Sequence, residues 1–287
     1  MSASNDPLFA AHPRDYKSNL YVYPVLSRRA GGISIGVNLN RNKFCNFHCI
    51  YCQVDLSEPG EDDLVDLERL EQELDWTVDL VTSGRIFEGE QFGGTAVPLR
   101  RLNDIAFSGD GEPTAYRNFA QAVEVCAGVR RRHGLDDVKL VLITNASLLH
   151  RWNVLPGLEI LDQNNGEIWA KLDAGSEAYY RQVARSAVPF KQILENLRDA
   201  ARARPIVIQT LFMRINDIAP SLIEIEAYCR RLQEIVTAGG KIKLVQIHTI
   251  ARRPAESWVT PLANDEVDSI AETVRRQTGL PVAAFYG

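Results

Sequence analysis

The feature that most constrains the fold is a regular alternation of short, apolar, β-branched segments with longer amphipathic ones. The short segments predict strands, and several are apolar throughout, as in a parallel sheet covered on both faces. Six such segments lie at residues 33–39, 104–108, 138–144, 168–173, 206–212 and 241–248. Apolar residues at helical spacing predict helices at residues 66–81, 118–132, 189–203, 221–236 and 264–278. The alternation predicts an α/β fold of six strand–helix units with mostly parallel strands.

Periodicity alone leaves two arrangements of these units open. Right-handed crossovers can close parallel strands into a partial barrel or spread them into a doubly wound sheet. In either case, functional side chains are expected where the strands end. We expect one domain over residues 1–287, with an N-terminal extension (1–30), a core (31–250) and a C-terminal helix with a closing segment (251–287). Residues 87–101 are expected to form a loop or a small hairpin inserted in this domain.

Composition narrows the class of protein. The chain has 287 residues with a formal net charge of −5, which disfavours a broadly basic nucleic-acid surface. Its first residues show no signal-peptide pattern and no apolar run approaches the roughly 20 residues that span a bilayer, so we expect a cytoplasmic protein without a membrane partner. Five unevenly spaced cysteines make a poor disulfide framework. Cys126 and Cys229 fall in helical segments and are expected to be small buried side chains.

The other three cysteines, Cys45, Cys49 and Cys52, lie within eight residues of the loop after the first predicted strand. Thiolates bind iron–sulfur clusters or zinc, and three of them at this spacing can bind one cluster from a single loop. On a four-iron cluster they would leave one iron without a protein ligand. The alternative is a closed structural zinc site, for which His48 is the local candidate as fourth ligand.

The loop "CNFHCIYC" (45–52), together with "FSGDGEPT" (107–114) after the second predicted strand, resembles the radical S-adenosylmethionine (SAM) superfamily. The segments "SRRAGGISIGVNLN", "CIYCQVD" and "KLDAG" are similar to the group that includes tRNA wyosine synthases and bacterial relatives. The resemblance implies a partial (β/α)6 TIM-like barrel, a radical SAM domain. It also implies a [4Fe–4S] cluster on the three cysteines, SAM on its fourth iron, and an external electron donor such as flavodoxin or ferredoxin.

By the same resemblance, SAM would be contacted by Tyr51, Ser108, Gly109, Asp110, Gly111 and Glu112. Lys171 and Asp173, which are charges on an otherwise apolar predicted strand, and Asn145, which follows the third predicted strand, are further candidates for contacting SAM. Four of these residues can instead have a purely structural role. Glu112 can cap the next helix, Asn145 can be a turn residue, and Lys171 and Asp173 can form an internal ion pair. Gln209, Gln246 and His248, on late strands, are the candidates for facing the substrate, and for His248 the alternative is a structural role.

The expected reaction is reductive cleavage of SAM to a 5′-deoxyadenosyl radical that abstracts hydrogen from a small-molecule or peptide substrate. A wyosine-synthase-like reaction on tRNA is the first alternative. It is disfavoured because the family's second cluster requires additional cysteines before the triad, and residues 1–44 contain none. The other alternative is an iron–sulfur protein that binds SAM or transfers electrons without radical catalysis.

Overall fold

The computed structural model describes residues 16, 18–54, 60, 64–254 and 256–287. The chain divides into two compact units. The first unit comprises Met1–Phe44, Pro59–Leu142 and Trp152–Glu167. The second unit comprises Cys45–Glu58, Ile143–Arg151 and Ile168–Gly287.

The described residues form ten strands and seven α-helices. The strands are β1 (Val22–Ser27), β2 (Gly32–Val37), β3 (Leu102–Phe107), β4 (Lys139–Thr144), β5 (Gly166–Lys171), β6 (Ile206–Leu211), β7 (Arg214–Ile215), β8 (Ile242–His248), β9 (Val259–Thr260) and β10 (Val282–Phe285). The helices are α1 (Leu67–Thr82), α2 (Phe119–Arg132), α3 (Leu155–Gln163), α4 (Glu177–Ala184), α5 (Phe190–Ala203), α6 (Leu222–Thr237) and α7 (Asn264–Thr278). Side chains set several helix starts: Asp66 accepts hydrogen bonds from the first backbone N–H groups of α1, and Ser221 does the same for α6.

In the first unit, β1 and β2 form an antiparallel pair, and β2, β3 and β4 follow one another in parallel. Ile35 pairs with Ile105, which in turn pairs with Leu140, and all three side chains are fully buried. Helix α2 packs against α1 and α3. The core of this unit is therefore a mostly apolar strand layer covered by helices, as the mostly apolar character of its strands predicts.

In the second unit, β5, β6, β8 and β10 run parallel in that order. Helix α6 packs against α5 and α7, and α7 contacts β10. The two short strands β7 and β9 form a separate antiparallel pair, with Arg214 opposite Thr260. Polar side chains interrupt the apolar strands near their carboxyl ends, where Gln209 of β6 pairs with Gln246 of β8.

The predicted fold class is confirmed as an α/β fold of mostly parallel strands. Within each unit the parallel strands follow chain order. All six predicted strands and all five predicted helices are present, with ends that differ by at most two residues.

Three strands and two α-helices were not predicted, namely β1, β7, β9, α3 and α4. Strand β1 lies in the segment assigned to the N-terminal extension, and β10 shows that the closing segment is a strand. Helices α3 and α4 were not predicted, because with nine and eight residues they are too short for a clear helical period. Residues 87–101 contain a 3-10 turn at Val97–Leu99 and no hairpin.

The single-domain organisation stays a prediction. No helix among the described residues combines the length and apolar character needed to cross a bilayer.

Candidate functional site

The three clustered cysteines lie on residues 45–52 of the second unit, which we call the cysteine loop. Its backbone is bound to the end of α4: His48 N donates to Ala184 O at 2.9 Å, and Ile50 N donates to Val183 O at 3.0 Å. Phe47 is buried, and its ring makes an edge-to-face contact with Tyr180 of α4. Phe47 is therefore a packing residue of the loop. Helix α4 holds the three cysteines in one place.

A second attachment of the cysteine loop comes from the turn after β4. Asn145 Nδ2 donates to Asn46 Oδ1 at 2.9 Å and to Cys45 Sγ at 3.7 Å, while its Oδ1 accepts from Ser147 N at 3.0 Å. Asn145 was predicted to contact SAM, with a turn role as the alternative. In this structure its side chain joins the turn to the cysteine loop. Asn46 and Ser147 were missed, because nothing in the sequence pairs positions about 100 residues apart.

A third attachment involves the charges predicted near the end of β5. Lys171 Nζ donates to the Tyr51 hydroxyl at 3.0 Å and lies 4.7 Å from the centre of its ring. The Tyr51 hydroxyl in turn donates to Asp173 Oδ2, and Asp173 Oδ1 accepts from Leu211 N at 2.8 Å. The two charges are thus linked through a tyrosine of the cysteine loop. The contact of Lys171 and Asp173 with SAM stays a prediction.

The Cys49 thiol and the nearby His48 side chain lie in different surroundings. Burial raises the pKa of the Cys49 thiol to about 12, although the charge of Lys171 and a hydrogen bond with Tyr51 act in the opposite direction. His48 is exposed, which places the predicted fourth zinc ligand at the surface of the loop. Among the described residues, no three His, Cys, Asp or Glu side chains are arranged around a single metal ion. Three thiolates on a [4Fe–4S] cluster bind different irons, so their chemistry and their shared loop fit that group.

The other predicted SAM-contacting segment, residues 108–112, belongs to the first unit. Asn38, just after β2, donates from Nδ2 to Asp110 Oδ2 at 2.6 Å and accepts from Asp110 N at 3.2 Å. Asn38 therefore fixes both the backbone and the carboxylate of Asp110. Sequence reasoning missed Asn38, although its place directly after a buried strand was an available signal. The Tyr23 hydroxyl contacts Ser108 Oγ at 3.2 Å.

The two glycines of this segment are required by close packing of the chain. A Cβ at Gly109, whose φ is +155°, would lie 2.4 Å from Asn38 Oδ1. A Cβ at Gly111 would lie 2.1 Å from the carbonyl oxygen of Phe44. Glu112 is buried and accepts from Thr114 N at 3.2 Å, which makes it the cap of the short 3-10 helix Pro113–Ala115. Glu112 thus has the capping role that was its structural alternative.

The three residues predicted to face the substrate lie in the second unit on β6 and β8. Gln209 and Gln246 are buried, and Gln209 Nε2 donates to Gln246 Oε1 at 3.1 Å. His248 is the last residue of β8, and its backbone oxygen accepts from Phe212 N at 2.9 Å. The two glutamines therefore use part of their hydrogen-bonding capacity on each other. Their contact with a substrate stays a prediction.

The sequence matches the profile of a known protein family. The sequence profile described as "Radical SAM superfamily" matches residues 39–224, which is about two thirds of the chain and includes the cysteine loop. The protein belongs to the radical SAM superfamily. The resemblance seen in the motifs is thereby confirmed. Members of this family are enzymes that bind SAM.

Individual relatives are distant. A UPF0026 protein from Methanocaldococcus jannaschii is 25% identical over 243 residues, covering 83% of this chain and 65% of that protein. A protein named GTPase Obg from Brachyspira hyodysenteriae is 24% identical over 249 residues, covering 85% of this chain and 32% of that protein. The chain therefore spans about a third of one relative and just under two thirds of the other. A UPF0026 protein from Helicobacter pylori strain 26695 is 23% identical, and the chain covers 70% of it.

Two solved structures are similar in part. The crystal structure of archaeal TYW1 has a TM-score of 0.46 at 15% identity, covering 85% of this chain and 72% of that one. The cobalamin-dependent SAM radical enzyme OxsB has a TM-score of 0.45 at 15% identity, covering 69% of this chain and 26% of that one.

Proposed function

We propose that the protein is a radical SAM enzyme whose Cys45, Cys49 and Cys52 hold a [4Fe–4S] cluster. The observation that carries the proposal is the placement of all three thiols on one loop that three separate attachments hold. Reduction of SAM at such a cluster yields methionine and a 5′-deoxyadenosyl radical, which abstracts hydrogen from a small-molecule or peptide substrate. An external one-electron donor such as flavodoxin or ferredoxin supplies the electron.

The protein's own contribution is to hold the ligands and to exclude water. Phe47 and Tyr51 bury most of their surface beside the cysteines, and Ile50 between them is fully buried. An apolar surrounding with few hydrogen-bond donors favours the low reduction potential that cleavage of a sulfonium requires. The loop thus combines tight attachment with a mostly apolar lining, both of which suit a low-potential cluster.

Charged residues of the second unit are proposed to bind SAM. In the second unit, Lys171 and Asp173 bring an ammonium and a carboxylate to the cysteine loop through the Tyr51 hydroxyl. Ammonium and carboxylate side chains complement the carboxylate and amino group of the methionine part of SAM.

The experiment compares two cysteine substitutions after anaerobic reconstitution with iron and sulfide. Wild-type protein is expected to bind about four irons per chain and to form 5′-deoxyadenosine from SAM when reduced. Cys49→Ala removes one ligand and should lose both properties. Cys126→Ala is the matched control, because Cys126 is fully buried in α2 of the first unit and should leave both properties unchanged.

The outcomes separate the alternatives. A Cys49→Ala protein that keeps both its cluster absorbance and SAM cleavage would contradict the proposal. Wild-type protein that binds the cluster and SAM, but forms no 5′-deoxyadenosine with dithionite or flavodoxin as reductant, would instead support the alternative of an iron–sulfur protein without radical catalysis.

A further inference from the structure

The amide of Asn145 makes a contact with the cysteine loop that the radical SAM assignment leaves unexplained. Its Nδ2 carries two hydrogens. One is donated to Asn46 Oδ1 at 2.9 Å and the other points to Cys45 Sγ at 3.7 Å, a distance within the range of N–H···S hydrogen bonds. Asn145 is buried, with 5% of its surface exposed. A buried hydrogen bond to sulfur acts more strongly than one in water, because the surrounding dielectric is low.

The orientation of this amide follows from its neighbours. Asn145 Oδ1 accepts from the backbone N–H of Ser147, which can only donate. The oxygen must therefore face Ser147, and the NH2 group must face Cys45. No other assignment of the two amide atoms satisfies the backbone donor.

The turn that carries Asn145 is itself held in a strained conformation. Ala146 has a φ of +63°, in the left-handed region that residues with a Cβ rarely adopt. Asn196 of α5 holds this turn by donating from Nδ2 to Ala146 O at 2.8 Å and to Ser147 O at 3.0 Å. A strained turn persists only where its surroundings determine it, and such turns concentrate at functional sites. The N–H group of Asn145 is therefore presented to the sulfur by a preformed support.

A hydrogen bond to a cluster ligand stabilises the more negative, reduced state of the cluster. Removing the donor makes the reduction potential more negative. We propose that Asn145 is a positioning residue that raises the reduction potential of the cluster through its N–H···S bond to Cys45. This inference rests on the proposed function, since it requires the cluster.

The test measures the midpoint potential of the reconstituted cluster by a redox titration followed by electron paramagnetic resonance. Asn145→Ala removes the donor. Asn145→Asp also removes it and keeps the side-chain shape and the acceptor for Ser147 N, but it adds a negative charge that itself disfavours reduction. Ser147→Ala is the matched control, because its hydroxyl contacts Asn46 in the same network and makes no contact with Cys45.

Asn145→Ala is expected to disfavour reduction about tenfold, a shift of about 59 mV to more negative potential for a one-electron couple, and Asn145→Asp should shift the potential further in the same direction because of its added charge. Ser147→Ala should keep the wild-type potential. Equal potentials in wild type and both Asn145 variants would overturn the inference and leave the proposed function intact. Loss of the cluster from both Asn145 variants, but not from Ser147→Ala, would assign Asn145 a purely structural role and also overturn it. Absence of a cluster in wild type would overturn both proposals.

Discussion

Replacing Asp104 with asparagine should stabilise the protein at neutral pH. Asp104 lies on β3 in the first unit with 3% of its surface exposed, and its carboxylate accepts from Ser34 Oγ. Burial raises its pKa from 3.8 to about 6, although the Ser34 hydrogen bond and the charges of Arg29 and Lys139 act in the opposite direction. The folded protein therefore holds a carboxylate whose charged form is disfavoured.

The sign of the pH effect follows from the raised pKa. Between pH 3.8 and about 6 the folded state binds more protons at Asp104 than the unfolded state does, so stability falls as pH rises through this window. Above the window the loss is constant. A difference of about two pKa units corresponds to about 3 kcal/mol. An asparagine keeps the oxygen that accepts from Ser34 and carries no charge, so it should recover up to about 3 kcal/mol at pH 7 and little below pH 4.

Urea denaturation of wild-type and Asp104→Asn proteins from pH 4 to pH 8 measures the difference in unfolding free energy at each pH. The control is Asp136→Asn, because the Asp136 side chain is 91% exposed and its removal should give a difference that is small and independent of pH. Subtracting the curves cancels the pH dependence common to all other groups. An Asp104→Asn difference that does not change between pH 4 and pH 7 would refute the reasoning.

Two further predictions concern the site. Tyr51→Phe removes the hydroxyl between Lys171 and Asp173. The variant should lower the free energy of unfolding by about 1–3 kcal/mol and weaken SAM binding. Unchanged SAM affinity in a calorimetric titration would show that the hydroxyl has a structural role alone. The protein should also hold a single cluster, with about four irons per chain by iron analysis, in which Mössbauer spectroscopy excludes adventitious iron. It should form no tricyclic base when incubated with methylated tRNA, pyruvate, SAM and a reductant. About eight specifically bound irons per chain would contradict the single cluster.

The elements of the fold were largely predictable from the sequence. Strands buried on both faces are mostly apolar, and the helices that cover them are amphipathic. Each segment therefore has a local hydrophobic pattern that predicts its secondary structure. Helix α7 was predicted with both of its observed ends, residues 264 and 278. Strand β1 was missed although it is apolar, because it lies before the first recognisable strand–helix unit and pairs with β2 antiparallel.

The candidate site was predictable in its chemistry and only partly in its connections. The cysteine spacing is local, so Cys45, Cys49 and Cys52 were identified at once, and Lys171 and Asp173 stood out as charges at the end of an apolar strand. Their common partner did not, because Tyr51 and Asp173 are 122 positions apart in the chain.

What the sequence by itself determined is therefore the α/β class, the order of the elements and the family chemistry, all of which depend on short-range patterns. Tertiary structure alone decided which polar groups meet. Folding brings Asn145 to Cys45, and it brings Tyr51 to Lys171 and Asp173. It also packs the Asn38 side chain directly against Gly109, where a Cβ would not fit. The physical reason is that a hydrogen bond depends on distance and direction between atoms, and folding sets these for residues whose separation along the chain carries no local signal.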